Sequence, residues 1–309
     1  MARIRIYFRG TGNKTTLYKA YLAATFTVIA WGASFIATKV AIQDISPVSV
    51  VWLRFTMGVA ILGGAVVVRK QFSWPRRNEL FYFVILGFLG ITFHQWLQST
   101  GLLTAQASTT AWIVATTPIF IALLGWMVLK EKLGFGQVLG IWLAAMGVLM
   151  VVTKGQLTAI AVGRFGTPGD RLVLISSVNW AVFSVLSRRV LQKTPATRMM
   201  FFVMGFGWIF TSFQFLFTGG LKEISQLTLN GWIGVVFLGV VCSGLAYIFW
   251  YDALKALPAS LVGAFLYFEP LVAVLVAFVI LGEPFGQASL LGGALILTGV
   301  WMVNRKARK

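Results

Sequence analysis

The chain has 309 residues, 58% of them hydrophobic and only 11% charged, with 26 Lys and Arg against 8 Asp and Glu and a net charge of +18. An average soluble domain is about 25% charged, so the composition excludes a water-soluble globular protein. One His, one Cys (Cys242) and no phosphate-binding loop motif exclude an ordinary metal site, an internal disulfide and ATP hydrolysis by this chain alone.

Residues 1–19 form a basic tail without a hydrophobic period. The first apolar run, Ala20 to Ile42, is long enough to cross a hydrocarbon core of about 30 Å and reads as an uncleaved anchor rather than a signal peptide. It carries Trp31 in its interior and Lys39 near its end. Val48 to Val68 follows Pro47 and contains Arg54. Leu80 to Leu102 places His94, Gln95, Gln98 and Ser99 in its middle and later part, where His94 shares a helix face with Gln98, and Gln95 with Ser99. Ala105 to Leu129 holds Trp112 and Pro118, and Gly136 to Val152 ends the first half. Residues 153–170, with Gly155, Gly163, Gly166, Pro168 and Gly169, read as an exposed linker. Five further runs follow: Leu172 to Leu191 with Trp180 and Arg188, Thr197 to Thr218, Gly231 to Leu254 with Tyr247, Trp250 and Tyr251, Ala259 to Leu281 with Glu269 and Pro270, and Gly286 to Val303. A second basic tail occupies 304–309. Backbone groups in lipid must be satisfied internally, so these ten runs are expected to be transmembrane helices.

Leu238 to Val303 repeats Leu86 to Val151. At one fixed offset Gly87 meets Gly239, Leu97 meets Phe249, Ser108 meets Ser260, Pro118 meets Pro270, Glu131 meets Glu283 and Gly147 meets Gly299. Weaker matches extend the repeat: Lys39 follows Trp31 at the spacing with which Arg188 follows Trp180, and Pro47 corresponds to Pro195. The expected domains are therefore a five-helix repeat over 20–152 and another over 171–303. Five is odd, so the second copy must enter the membrane upside down. The expected fold is all-α, ten transmembrane helices as two inverted five-helix repeats about an axis in the membrane plane, an arrangement that permits alternating access to a shared midplane site.

Charge sets the expected orientation. With the N-terminus inside, the inner segments hold twenty basic residues and the outer ones only four, Lys154, Arg164, Arg171 and Lys222. That bias predicts cytoplasmic termini and assigns the basic ends to topology and anionic headgroups rather than nucleic acid.

Trp31-Gly32 with Ser34-Phe35, Pro47 before Arg54-Phe55, Pro118 with Glu131, and Glu269-Pro270 with Gly282-Glu283 and Gly299 together resemble the EamA family of the drug/metabolite transporter superfamily, over roughly Ala20 to Val303. The resemblance implies a ten-helix inverted-repeat carrier, usually an exporter of amino acids or other small metabolites from bacteria; separately, the sequence has no nucleophile with a nearby His-acid arrangement and no cofactor-binding motif, so no enzymatic activity and no cofactor are expected. The first half departs from the pattern in carrying Thr117-Pro118 where the second carries Glu269-Pro270.

Polarity at depth selects candidate substrate contacts. The repeat lays Tyr247 on Gln95, Trp250 on Gln98 and Tyr251 on Ser99, so the same faces in both halves carry hydrogen-bonding or aromatic groups. With His94, Trp31, Trp112 and Trp180 these define a candidate cavity; helix packing by the same groups is the alternative. An aromatic wall suits hydrophobic or aromatic amino acids. Glu269 falls near mid-membrane, where burial penalises its charge. It is a candidate for proton coupling or for binding an ammonium group, or else a structural carboxyl bonded to a neighbouring helix, with Lys39, Arg54 or His94 as candidate partners. Arg54 either attracts a carboxylate or reaches for an interface. Pro118 and Pro270 are candidate hinges, and no residues suit a metal. The expectation is a monomeric, multi-pass plasma-membrane transporter of amino acids. A proton-coupled exporter of hydrophobic cations is the alternative within transport, and a non-transporting scaffold subunit the alternative outside it.

Overall fold

The computed structural model describes residues 14–130, 132–156, 166–284 and 286–304. Among them ten helices are long and apolar enough to cross a membrane and there is no strand. In chain order they are α1 (Lys14–Ala41), α2 (Pro47–Val68), α3 (Arg77–Gly101), α4 (Ala107–Val128), α5 (Phe135–Val152), α6 (Pro168–Leu191), α7 (Ala196–Phe217), α8 (Leu229–Ala256), α9 (Leu261–Leu281) and α10 (Gln287–Asn304). The protein is an all-α integral membrane protein. Helix α1 starts at Lys14, so the last residues expected in the basic tail are already helical; Lys and Tyr lower hydropathy without opposing helix formation.

Local chemistry sets the boundaries. Helix α2 starts where Pro47 fixes φ at the first helical position and the Ser46 hydroxyl accepts from the Ser49 N–H at 3.3 Å. Helix α6 starts at a capping box: Thr167 Oγ1 accepts from the Asp170 N–H at 3.1 Å while Asp170 Oδ2 accepts from the Thr167 N–H at 2.7 Å. Pro118 and Pro270 sit at equivalent breaks. The first interrupts α4 after Val114, and the second follows a 3-10 turn at Leu266–Phe268 in α9. Around the first break, Thr116 and Thr117 hydroxyls donate to the Ile113 and Val114 carbonyls at 2.6 and 2.7 Å, covering acceptors that lipid could not satisfy. Both downstream segments end in a left-handed residue, Lys130 at φ 55° and Gly282 at φ 65°. Glycine adopts that conformation without a Cβ penalty, so Lys130→Gly should stabilise the fold by about 1 kcal/mol, read as a higher melting temperature in detergent.

Helix contacts come in exchanged pairs. Helix α1 packs on α8 and α9, as α6 packs on α3 and α4; α2 packs on α8, as α7 packs on α3; and α2 meets α7, as α5 meets α10. The α5–α10 crossing brings main chain against main chain at two places. A Cβ at Gly147 would stand 2.5 Å from the Gly292 carbonyl oxygen, and one at Gly140 2.6 Å from that of Gly299. The lower-numbered glycine of each helix meets the higher-numbered one of the other, so the two helices run antiparallel.

Candidate functional site

Two segments of π-helix lie at matching places, Phe88–Phe93 in α3 and Phe237–Leu245 in α8. A π-turn lets carbonyls escape the helical ladder, and both segments use them. Trp31 Nε1 of α1 donates to the Cys242 carbonyl at 3.2 Å, and Asn179 Nδ2 of α6 donates to the Leu89 carbonyl at 2.7 Å. Each bond ties the first helix of one half to the third helix of the other. The tryptophans stand beside these ties. Trp31 packs edge-on against Tyr247 with centroids 5.4 Å apart and tilted against Trp250 at 5.2 Å. Trp180 packs on His94 at 4.7 Å, and the His94 Nδ1–H donates to the Ser176 carbonyl at 3.1 Å. Tyr251 lies 6.4 Å from Tyr247, and one apolar cluster contains Trp31, Trp180, Tyr247 and Tyr251.

Arg54 joins the two sides. It is 6% exposed on α2, and its Nε donates to Ser243 Oγ of the α8 π-segment at 2.7 Å while Nη1 donates to Gln95 Oε1 of α3 at 3.1 Å. Both acceptors are neutral. A bidentate fork pre-oriented this way keeps donors for a further acceptor. Gln98 is half-buried and Ser99 buried on the same helix as Gln95.

Glu269 opens the lower segment of α9, and its main-chain carbonyl lies against Gly32 of α1, where a Cβ would approach to 2.7 Å. Gly32 therefore lets α1 reach the α9 break. The Glu269 carboxylate makes no hydrogen bond or ion pair among the described residues. The candidate partners are engaged elsewhere: Arg54 as above, His94 on Ser176, and Lys39 on Glu283 at 3.7 Å. Cys242 and Tyr247 each lie within electrostatic range of both Arg54 and Glu269.

Trp112 does not join this cluster. It is buried with Ile119, Ala144, Ile296 and Val300 between α4, α5 and α10; its Nε1 donates to Ser289 Oγ at 3.0 Å, and its ring fills the space left by Gly293. A ring this size at a three-helix junction serves packing. Pro118 lies on that same side of the fold, while Pro270 lies beside Glu269. Ser243 went unrecognised from the sequence, although it precedes Tyr247 by one helical turn and so shares its face. Asp252 stands 3.8 Å from Lys255 and accepts a bidentate pair of hydrogen bonds from Arg69 at 2.7 and 2.8 Å.

The EamA-like transporter family model matches residues 18–153 and again 167–305. An uncharacterized transporter of Archaeoglobus fulgidus is 25% identical over 93% of this chain and 98% of its own. The uncharacterized transporter YyaM of Bacillus subtilis is 28% identical over 87% and 88%. A probable terminal-alkyne amino-acid exporter of Streptantibioticus cattleyicolor is 27% identical over 94% and 95%. A crystal structure 23% identical in sequence shares the fold with a TM-score of 0.64, covering 93% of this chain and 96% of that one. With a family match over both halves and ten membrane-length helices, the chain is a multi-pass membrane transporter and belongs to the EamA-like transporter family.

Proposed function

We propose that the chain moves amino acids, with hydrophobic or aromatic side chains preferred, out of the cell across the plasma membrane by alternating access. Its two halves act as inverted five-helix repeats, 20–152 and 171–303, with both termini cytoplasmic and a monomer as the working unit. The exchanged helix pairs and the antiparallel glycine crossing support the repeat reading. The observation that carries the substrate class is that, among the described residues, the Glu269 carboxylate has no hydrogen-bond or ion-pair partner and Arg54 has neutral hydrogen-bond partners only. A zwitterion supplies both missing charges: its ammonium group meets Glu269, its carboxylate meets the Arg54 fork, and its side chain rests among Trp31, Tyr247, Trp250 and Tyr251. Burying charge in a membrane is costly unless it is paired, so a substrate that pairs both gains where a neutral one does not. The name of the Streptantibioticus relative supports the same class.

Flux of labelled amino acids into proteoliposomes tests this, with competitors in pairs. Phenylalanine and leucine should compete at least about tenfold better than their decarboxylated amines or their deaminated acids, each of which leaves one buried charge unpaired. Better competition by quaternary amines than by zwitterions would overturn it. That outcome is the one the second reading requires, a proton-coupled exporter of hydrophobic cations, which the packed rings of Trp31, Tyr247 and Trp250 also favour.

A further inference from the structure

A cavity of about 790 Å³ opens between the start of α3, the end of α6 and the start of α7. Helix α1 leaves the Lys14 end of the bundle and α2 returns to it, so the cavity lies at the end that carries Lys14 and Asn304. Its size falls within the roughly 300–1,000 Å³ of a small-molecule site.

One buried ion pair fixes its floor. Arg198, 6% exposed, donates to the two Glu79 carboxylate oxygens at 3.2 Å each and to the main-chain carbonyls of Ser73 and Trp74 at 3.1 and 3.3 Å. Thr194 Oγ1 donates to the same carboxylate at 3.0 Å. These bonds hold the connection between α2 and α3 against the start of α7. They also occupy Glu79, the one acidic residue among the described residues that line the cavity. Arg76 and Lys193, exposed on the same wall, therefore have no free carboxylate there to pair with. Gln71 lines the cavity too, and its side-chain oxygen is buried without a hydrogen-bond partner among the described residues. Such an oxygen costs free energy unless a ligand donates to it. At the rim stands Trp74, 80% exposed and packed edge-on against the exposed Phe72 with centroids 5.5 Å apart. Exposed rings beside cationic groups at the end of membrane helices belong at headgroup depth, where tryptophan collects.

We infer that this cavity binds the headgroup of an anionic glycerophospholipid. Arg76 and Lys193 meet its phosphate, Gln71 accepts from a headgroup hydroxyl, and the acyl chains run past Trp74 and Phe72 into the bilayer. A free phosphate ion offers the two cations the same oxygens but has no apolar part for the adjoining rings, so a lipid is the occupant. Bound there, the lipid touches α3 together with α6 and α7 and so ties the two halves at this end. The inference does not depend on what the protein transports.

Native mass spectrometry of the full chain, delipidated in a neutral detergent and titrated with phosphatidylglycerol, tests the site. One lipid should stay bound, and Arg76→Gln with Lys193→Gln should weaken it roughly 30-fold, the scale of two basic residues against anionic headgroups. Removing as much charge from the same end by Lys19→Gln with Lys255→Gln should change it by less than about twofold, since neither residue lines the cavity. Arg76→Lys with Lys193→Arg should retain the lipid, which separates lost charge from a damaged fold. Phosphatidylmethanol, equal in charge but without the hydroxyl, should bind about 2- to 10-fold more weakly, and equal affinity would overturn the Gln71 contact. Equal losses in the two charge-removing pairs, loss in the charge-keeping pair, equal retention of phosphatidylcholine, or displacement by an equal concentration of inorganic phosphate would each overturn the lipid site.

Discussion

Gly147→Leu should prevent accumulation of folded protein. The space its side chain would need is held by the main chain of α10: a Cβ at 147 would lie 2.5 Å from the Gly292 carbonyl and 2.9 Å from the Ile296 N–H. A flexible side chain could move aside, but a helix backbone moves only as a unit. Overpacking within a core costs about 1–3 kcal/mol, and here the strain falls on a backbone-to-backbone interface between the halves, so a loss of at least that size is expected. The reciprocal crossing sharpens the forecast. Leucine at Gly140, Gly292 or Gly299 should be comparably damaging, because each faces main chain of the opposite helix. Gly205 of α7 has nothing within 4 Å of an added Cβ. There Gly→Ala should be neutral or stabilising by up to about 1 kcal/mol through the reduced cost of ordering the helix. Size-exclusion profiles and melting temperatures of the five variants in detergent would decide: equal tolerance at Gly147 and Gly205 would show that the crossing is not a packing determinant.

Those glycines also show what a sequence of this kind exposes. Ten long apolar runs, a proline at the same place in two of them and glycines repeated at fixed spacing were enough for the helix count and for the breaks in α4 and α9, because apolar length and missing backbone donors act locally. The π-segments of α3 and α8 were not legible. Phe88–Phe93 and Phe237–Leu245 are apolar stretches with glycines, as other spans are, and what sets them apart is which carbonyls Trp31 and Asn179 reach from another helix. The same limit explains Trp112. Its depth and ring marked it like Trp31, but only the fold puts Gly293 and Ser289 beside it and takes it out of the candidate cavity. Glu283 is the opposite case. The repeat singled it out through Glu131, yet its carboxylate accepts from the Ala107 and Ser108 N–H groups at 2.8 and 3.0 Å, which depends on α4 beginning within reach and which a one-dimensional register cannot say. Arg54 and Glu269 were identifiable as charges at depth, and the structure adds that neither is neutralised by the other or by the nearby candidates.

Glu269→Gln is expected to make the protein more stable and transport poorer. A carboxylate kept for architecture would have donors, and its removal would strand them, as Glu79 would strand the Arg198 guanidinium it binds at 3.2 Å. Glu269 has no such donor among the described residues, so the neutral amide relieves a burial cost without orphaning a neighbour, and the melting temperature should hold or rise. Transport loses the one group that meets an ammonium ion. A hydrogen bond to a charged group contributes about 1.5–3 kcal/mol, so apparent affinity for zwitterions should fall by roughly 10- to 100-fold. Arg54→Gln provides the contrast. Ser243 and Gln95 lose their donor, which costs stability as well as affinity, and the affinity loss should fall on carboxylate-bearing substrates while amines are spared. Melting curves and competition profiles for the two variants separate the roles. A lower melting temperature with unchanged flux in Glu269→Gln would make Glu269 a structural residue and remove the ammonium site. The expected pairing, a stability gain with a transport loss, follows when a buried charge is retained for a ligand rather than for the fold.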